Sequence, residues 1–415
     1  MDQGTINSES GVRREDVTGC AHAKPPRMTL VLRSFLDYRI PAFIQLDRLI
    51  EQQLHVIFPV RWTPERVQNK LKSALGDRAV ALEGEKSLGR YHHREANISI
   101  SIPLQPGLYQ AIASTKPDVI IGEGFFQWTT VALLYRLIHR VPLVLFYERT
   151  FHTERRAQWY RTLYRRIVGR FVDACCVNGQ ESLAYTQSLG IPSDRITTGF
   201  AVADTESLIA QVASVPTATQ TELRAKWQAK GLVYLYVGQF IQRKGLRQLL
   251  EAWARFERAA PGAGTLVLLG SGPEEEGLRS MVHELELQAV RFPGWVEYDR
   301  LAPYYAAADV FVMPTLEDNW SMVVPEAMAC GLPVLTSHYN GCWPELVHTD
   351  VNGWVFNSLD AEDVERCLTM CVVQQSKLPQ MGQASKKIVG HHTPWHSAQA
   401  ILQSCEIALR RWKRM

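Results

Sequence analysis

Short apolar runs alternate with longer segments of helical periodicity along almost the whole chain. The runs at 28–35, 118–124 and 142–148 have the length and continuity of strands buried on both faces. Between them, 40–53 and 128–140 carry apolar residues at helical spacing. Strands that alternate with helices of this length predict βαβ units and a parallel sheet.

The second half of the chain begins the same pattern again. Apolar strands are predicted at 231–238, 265–273 and 309–314, with helices at 245–259 and 273–285 between them. The restart predicts an α/β fold of two Rossmann-like domains whose parallel sheets face a central cleft.

Domain boundaries follow from the polar stretch at 204–230. We expect a disordered leader over 1–27, an N-terminal Rossmann-like domain over 28–204 and a C-terminal Rossmann-like domain over 205–393. The last segment, 394–415, is expected to be a helix that returns to the N-terminal domain.

Composition narrows the function by exclusion. Forty-five Lys and Arg against 42 Asp and Glu give a net charge of +3, without the basic excess of a dedicated nucleic-acid binder. No apolar run reaches the roughly 18 residues that span a bilayer. The eight cysteines show no paired framework, which favours a reducing, cytoplasmic setting. We expect no metal site and no cofactor.

Ligands of such folds bind at the carboxyl ends of the strands, and one loop there is basic. Arg243 and Lys244 follow a strand that ends at Gly238 and precede a helix that begins at Gly245. Two cations beside a helix N-terminus favour a diphosphate. The alternative for this segment alone is a solvated basic turn.

Two further loops are candidates for the nucleotide. Gly270 and Gly272 allow a sharp turn and a close approach of the backbone to a ligand. Trp295 follows a strand and a glycine, where an aromatic ring could hold a nucleobase. The alternatives are that the two glycines serve only the geometry of the turn and that Trp295 belongs to the hydrophobic core.

The segment 314–335 carries the most chemistry. Because Pro325 is tolerated only in a first helical turn, the helix is predicted to start near Ser321, with Ser321 as N-cap. The N–H groups there, of Ser321, Met322 and Val323, are then predicted to bind phosphate oxygens.

Two acids lie on either side of that helix start. Glu326, just inside the helix, can accept two hydrogen bonds from a ribose diol, and Asp318 in the preceding loop can reach a neighbouring sugar. Complementing the helix dipole is the alternative role for Glu326.

These motifs together resemble the retaining GT-B glycosyltransferases of group 1, which carry a Glu-x7-Glu motif. The resemblance covers about 230–357 and rests on four motifs in order: Gly238, Lys244-Gly245, Gly270-x-Gly272-Pro273, and Asp318-x7-Glu326 followed by Ala-Met-Ala-Cys-Gly-x-Pro-Val. It implies a GT-B fold and a metal-independent enzyme of polysaccharide biosynthesis. It also implies that the domain over 28–204 binds the acceptor and that the domain over 205–393 binds the nucleotide sugar. Such an enzyme moves a sugar from a nucleotide-sugar donor to a glycan, lipid-linked glycan or small-molecule acceptor, with retention of anomeric configuration.

The resemblance also implies roles for single residues. Lys244 matches the lysine that binds the donor diphosphate, Asp318 with Asn319 and Trp320 matches the donor-sugar contacts, and Glu326 matches the ribose ligand. Asp318 and Glu148 are the candidate catalytic residues.

Three departures from the family pattern are visible. Gln239 replaces the usual arginine, and Arg243 can take its place. The first motif acid is Asp318 unless Glu317 takes its role. Glu148 stands where a histidine is common, with His152 four residues on.

A basic, aromatic segment at 154–170 is predicted to be an amphipathic helix. It carries Arg161, Arg165 and Arg166 among its cations. Such a helix either lies on an anionic membrane surface or presents a solvated face. We expect peripheral contact with the inner face of the membrane.

Two other functions remain open on the sequence alone. A sugar-nucleotide epimerase or phosphorylase would use the same architecture. A catalytically inactive nucleotide-sugar-binding subunit would explain Gln239 and Asp318.

Overall fold

The fold is known from a computed structural model, which describes residues 24–33, 37–88 and 102–414. Two parallel sheets dominate it, one of seven strands and one of six, each built from a contiguous part of the described chain. The α/β prediction of two Rossmann-like domains is confirmed. Residues 1–23 of the predicted leader lie outside the described residues.

The N-terminal sheet has the strand order β3-β2-β1-β6-β7-β8-β9, with all neighbours parallel. Its strands are β1 Met28–Val31, β2 Leu54–Pro59, β3 Ala79–Leu82, β6 Val119–Glu123, β7 Leu143–Tyr147, β8 Ala174–Val177 and β9 Ile196–Thr198. An antiparallel pair of short strands lies beside it, β4 Lys86–Leu88 and β5 Ile102–Leu104. The helices are α1 Ile40–Leu49, α2 Glu65–Leu75, α3 Leu108–Thr115, α4 Thr129–His139, α5 Trp159–Gly169 and α6 Gln180–Ser188.

The C-terminal sheet has the order β12-β11-β10-β13-β14-β15, again all parallel. Its strands are β10 Leu232–Val237, β11 Gly264–Leu269, β12 Val290–Gly294, β13 Val310–Met313, β14 Val334–Ser337 and β15 Gly353–Phe356. The helices are α7 Thr205–Ala213, α8 Thr217–Lys226, α9 Leu246–Ala259, α10 Glu275–Glu284, α11 Ala302–Ala306, α12 Val323–Ala329, α13 Trp343–Leu346, α14 Ala361–Val373 and α15 Leu378–Val389. Short 3-10 helices span Asp37–Arg39, Gly76–Arg78, Ser193–Arg195, Gln242–Lys244, Tyr298–Arg300 and Gln375–Lys377.

Both sheets are covered by helices on both faces, which explains their apolar sequences. Every residue of β7 and of β10 is buried, as expected of strands in a parallel sheet. The amphipathic helix α9 buries residues such as Leu249, Leu250 and Trp253, and the Trp253 ring lies 5.3 Å from that of Tyr234 in β10. The periodicity of the sequence therefore placed these strands and helices correctly, with ends that differ by a few residues.

The C-terminal helix α16, Pro394–Trp412, lies against the N-terminal sheet. Its neighbours are α1, β8 and β9. The Thr197 hydroxyl donates to the carbonyl of Ala400 at 2.9 Å, and the Ser397 hydroxyl donates to that of Phe200 at 2.8 Å. The chain therefore crosses back from the second sheet to the first before it ends.

Candidate active site

The strand order of the C-terminal sheet reverses between β10 and β13, and a cation and a carboxylate meet there. Lys244 lies in the loop after β10 and Asp318 in the loop after β13, and their side chains form an ion pair. The two side chains are only 13% and 11% exposed. This is the position at which an open α/β sheet binds its ligand.

Glycines allow these loops to approach each other. Gly245 has φ +69°, and a Cβ at that position would lie 2.0 Å from the Pro314 carbonyl oxygen. Gly270 has φ +147°, and a Cβ there would lie 1.9 Å from the carbonyl oxygen of Gly238. Any side chain at either position would push the loops apart, so the glycines of the motif are structurally required.

Asp318 is held as a carboxylate. Burial by itself would raise the pKa of Asp318, but the charge and hydrogen bond of Lys244 and the hydroxyl of Ser321 lower it below its usual value. Ser321 Oγ donates to Asp318 Oδ2 at 2.7 Å. Asp318 therefore keeps its charge through the neutral range.

The start of helix α12 differs from the prediction. The helix begins at Val323 with Met322 as N-cap, and no side chain caps it. Ser321 is not the cap because its hydroxyl is bound to Asp318, and its N–H donates to Asn340 Oδ1 at 3.2 Å. Met322 and Val323 remain at the helix start, where the first N–H groups have no partner within a helix.

Glu326 lies buried in the first turn of α12, as Pro325 predicted. It is 4% exposed and accepts a hydrogen bond from the Tyr305 hydroxyl at 3.0 Å. Burial raises the pKa of Glu326 to about 7, and the hydroxyls of Tyr305 and Tyr298 oppose that rise. Glu326 can therefore change its charge near neutral pH.

The loop after β10, which carries Lys244, also lines a cavity of about 560 Å³ through Gly238, Gln239 and Ile241. The cavity is lined by loops predicted to bind the nucleotide, with Gly270, Gly272 and Trp295 among its walls. Trp295 is 65% exposed, so it is not a core tryptophan. Arg66 of α2 lines the same cavity from the N-terminal domain. No sequence motif around Arg66 predicts this contribution.

The other predicted donor-site residues surround the ion pair. Arg243 is exposed, and its Nη1 donates to the Glu317 carbonyl oxygen at 3.3 Å. The Trp320 N–H donates to Asp318 Oδ1 at 3.3 Å. Asn319 Oδ1 and Trp320 Nε1 are buried and have no protein partner among the described residues.

The motif loop is fastened to the N-terminal domain. His152 Nε2 hydrogen-bonds with the Leu316 carbonyl at 2.8 Å, and Arg155 pairs with Glu317 at 2.7 Å. Glu317 therefore points across the domain interface, toward Arg155. Burial lowers the pKa of His152, which favours a neutral ring. Its Nε2–H then donates to the Leu316 carbonyl.

The N-terminal sheet reverses its strand order between β1 and β6, and an arginine lies there. Arg39 is 5% exposed and binds Glu123 at 2.7 Å and Glu148 at 2.9 Å. Arg33, at the end of β1, is held by Glu85 at 3.0 Å. Sequence reasoning selected Glu148 but missed Arg39 and Glu123, since these residues are far apart along the chain.

The basic segment 154–170 is a turn followed by α5 rather than one helix. Arg165 does not face solvent: it is buried against Glu154 at 2.7 Å and Tyr185 at 3.1 Å. The exposed side of α5 instead carries large apolar residues and two arginines, namely Trp159, Tyr160, Leu163, Ile167, Arg166 and Arg170.

Comparison with known proteins agrees with this architecture. The family described as Glycosyl transferases group 1 matches residues 219–388, and Glycosyltransferase Family 4 matches residues 26–199. The structure of an Anabaena protein, HepE, in complex with UDP and glucose superposes with a TM-score of 0.70 at 16% identity. It covers 91% of this chain and 98% of that one. The fold is thus GT-B.

Residues 219–388 therefore belong to the group 1 glycosyltransferases and residues 26–199 to Glycosyltransferase Family 4. The chain is 36% identical over 146 residues to the lipopolysaccharide core biosynthesis glycosyltransferase LpsE of Rhizobium meliloti, covering 35% of this chain and 40% of that protein. It is 28% identical over 194 residues to a GDP-mannose-dependent phosphatidylinositol monomannoside mannosyltransferase of Mycobacterium tuberculosis, covering 45% of this chain and 50% of that one. The chain therefore spans about half the length of these relatives, or less.

Within the described ranges, no helix combines the length and the apolar character needed to cross a bilayer.

Proposed function

We propose that this protein transfers a sugar from a nucleoside-diphosphate sugar to an acceptor, with retention of anomeric configuration. The observation that carries the proposal is the Lys244–Asp318 pair at the strand-order reversal of the C-terminal sheet. The loop that carries Lys244 also lines the cavity of Gly270 and Trp295. A cation and a carboxylate at that reversal suit the two charged ends of the reaction, the leaving diphosphate and the sugar that becomes electron-poor.

We assign Lys244 and Arg243 to binding of the donor diphosphate. Negative charge builds up on the leaving oxygen as the glycosidic bond breaks, and fixed cations that stabilise it lower the barrier. Met322 and Val323 add backbone N–H groups from the start of α12. Because these groups supply positive charge themselves, the proposed reaction is metal-independent.

The two acids hold the rest of the donor. Glu326 is assigned to the ribose diol, since a carboxylate can accept a hydrogen bond from each hydroxyl. Asp318, with Asn319 and Trp320, is assigned to the transferred sugar. Glu148 is assigned to the acceptor side, where Arg39 positions its carboxylate.

Named relatives support the substrate class. The solved neighbours include HepE with UDP and with UDP-glucose, and the relatives are named for lipopolysaccharide core and for phosphatidylinositol mannoside. A nucleotide-sugar donor and a glycan or lipid-linked acceptor therefore fit best, which is a polysaccharide or glycolipid pathway. Neither an epimerase nor a phosphorylase is favoured by these names.

Donor binding is tested with a panel of UDP-, GDP- and ADP-sugars. A ligand that binds only the folded state raises the melting temperature, by RT ln(1 + [L]/Kd) in free energy. We expect one nucleotide class to raise it and to be hydrolysed slowly without acceptor. No shift with any donor, and no hydrolysis, would contradict the proposal. Hydrolysis that disappears in EDTA would contradict metal independence, and binding without hydrolysis or transfer would indicate the inactive subunit.

We also propose that the exposed face of α5 lies on the inner, cytoplasmic surface of a membrane. Trp159 and Leu163 are 76% and 49% exposed, and Arg166 and Arg170 flank them. Apolar side chains enter the headgroup region while cations attract anionic lipid, at about 1 kcal/mol per charge. This arrangement would bring the cleft to a lipid-linked acceptor.

Vesicle sedimentation tests the membrane surface. Arg166→Gln/Arg170→Gln is expected to weaken binding to anionic vesicles at low salt by about tenfold or more. Two arginines on another surface, Arg255→Gln/Arg279→Gln, serve as the control for net charge. Equal losses in both variants, or none in either, would argue against a dedicated surface.

A further inference from the structure

A second cavity lies apart from the donor cavity, where α16 begins. It has a volume of about 300 Å³, and we call it the hinge cavity because the chain crosses there between the two sheets. One wall comes from Asn178 and Gly179 after β8, one from Glu345 of α13, and one from α16. Three separate parts of the fold therefore converge on it.

The α16 wall is polar at helical spacing. His396, Gln399 and Gln403 line the cavity, and their spacing puts them on one face of the helix. Ala400, between them on that face, leaves room in front of the backbone. His391 and His392 add two imidazoles just before the helix. These side chains are a dense set of hydrogen-bond donors and acceptors.

The opposite wall holds polar atoms without a protein partner. Asn178 is 2% exposed, and neither its Oδ1 nor its Nδ2 has a hydrogen-bond partner among the described residues. Glu345 Oε2 is likewise unpartnered, although the other oxygen of that carboxylate accepts from the Gln180 N–H. Buried amides that lack a partner are rare because each costs free energy, so this wall is incomplete without a ligand or water.

The approach of the two domains here is close and depends on glycine. A Cβ on Gly179 would lie 2.7 Å from the Trp320 ring and 2.8 Å from the carboxyl carbon of Glu345. The His392 ring is 6.4 Å from that of Trp320. The hinge cavity is therefore a neighbour of the donor-sugar loop, whose Trp320 ring lies close to Gly179 and His392.

The charge of the walls selects the kind of ligand. Among the described residues that line the cavity there is no Lys or Arg. Burial and the two neighbouring histidines lower the pKa of His392 to about 4, so its ring is neutral at neutral pH. Phosphates and nucleotides would meet the Glu345 carboxylate with little opposing positive charge.

We propose that the hinge cavity binds a neutral polyhydroxylated ligand, a sugar unit of one or two rings. Hydroxyl groups donate and accept, so they can pair with both ends of the Asn178 amide and with the free oxygen of Glu345. The Gln399 and Gln403 amides line the cavity and are exposed to solvent, so they can hydrogen-bond with the outer hydroxyls of the sugar. Either a free sugar or a sugar unit of a longer glycan has this chemistry.

Binding is measured by NMR on protein labelled with 13C at histidine Cε1. D-glucose, D-mannose, D-galactose and maltotriose are titrated to about 100 mM, as expected for weak sites built on a few hydrogen bonds. We expect saturable shifts of His391, His392 or His396. Saturation by the monosaccharides supports a free sugar, and saturation by maltotriose alone supports a glycan segment.

Variants separate this cavity from the donor cleft. Gln399→Leu/Gln403→Leu changes exposed residues only and is expected to weaken binding about tenfold, from the loss of two hydrogen bonds. Gln187→Leu on α6, an exposed glutamine outside the cavity, is the matched control. Asn178→Leu fills the inner wall and should abolish the shifts where it folds.

Two results would overturn the proposal. One is the absence of saturable histidine shifts with all four sugars. The other is unchanged affinity in the Gln399→Leu/Gln403→Leu variant. Donor hydrolysis is followed in parallel, and we expect it to be unaffected in that variant, so a failure here is distinguishable from a failure of the proposed transferase activity.

Discussion

At the strand-order reversal of the C-terminal sheet one lysine meets one aspartate, whereas at that of the N-terminal sheet one arginine lies between two glutamates. Both positions lie at the carboxyl ends of neighbouring parallel strands. The C-terminal pair is nearly balanced and mostly buried, while Glu123 and Glu148 keep 21% and 33% exposure. The first arrangement suits a charged, fixed donor, and the second offers open carboxylate surface to an acceptor rich in hydroxyl groups.

Removing Lys244 should produce the largest effect. Lys244→Ala is expected to lower turnover by about 10²–10³-fold, as for loss of one oxyanion-stabilising group. It also leaves Asp318 buried without its cation, which should lower the free energy of unfolding by about 3 kcal/mol. Turnover and denaturant unfolding are measured together.

A double variant distinguishes these two losses. Lys244→Met/Asp318→Leu removes both charges, so much of the stability should return while turnover stays low. Restored turnover in the double variant, or unchanged turnover in the single one, would argue against Lys244 as a diphosphate ligand.

The counterpart in the N-terminal half is Arg39→Met. It places two carboxylates side by side without their shared cation, and we expect a loss of about 1–3 kcal/mol in stability, moderated by their exposure. Donor affinity and slow donor hydrolysis should change less than transfer to acceptor. Equal losses of hydrolysis and transfer in Arg39→Met would contradict the assignment of this position to the acceptor.

The same two positions differ in how far sequence predicts them. Lys244, Asp318 and Glu326 stand at fixed short distances from Gly245 and Pro325, whose backbone requirements set the local geometry. Arg39 is 84 and 109 positions away from Glu123 and Glu148 in the sequence. The periodicity of the sequence does not predict contacts over such separations.

Errors within the predictable half also have a physical origin. Ser321 had the right residue type for a helix cap, but Asp318, three positions earlier, competes for its hydroxyl. Arg165 matched a basic helical face, yet Glu154 pairs with it inside the domain. Short-range preference yields to a charged partner that only the folded chain provides.

Glu326 gives the C-terminal half a pH dependence that we expect to be absent from Glu326→Gln. Its folded pKa of about 7 lies above the roughly 4.3 of an unfolded glutamate. The proton bound in the folded state therefore contributes stability that is complete below about pH 4 and lost as the pH rises through 7. At about 1.4 kcal/mol per pKa unit, the difference is about 4 kcal/mol.

Unfolding at pH 4 and pH 8 measures this contribution. Wild-type stability should fall relative to Glu326→Gln between those values, while the glutamine variant binds donor more weakly because it lacks a charged acceptor for the diol. Parallel stability profiles would show that Glu326 titrates in the ordinary acid range.

The smallest effect is expected at Glu317, which tests the register of the motif loop. Arg155 and Glu317 form an ion pair with side chains 38% and 30% exposed, and such pairs contribute about 0–1 kcal/mol. Glu317→Gln should therefore change turnover by no more than about threefold and stability by less than 1 kcal/mol.

Asp318→Asn is the partner measurement. It removes the carboxylate that Lys244 and Ser321 hold in place, so turnover should fall far more than nucleotide affinity. The alternative register, with Glu317 as the first motif acid, reverses both results: Glu317→Gln would then abolish turnover and Asp318→Asn would be nearly silent. Because His152 fastens Leu316 independently of Glu317, the loop should keep its position in the Glu317→Gln variant. A large loss in that variant would therefore reflect chemistry rather than a displaced loop, and would transfer the sugar contact from Asp318 to Glu317.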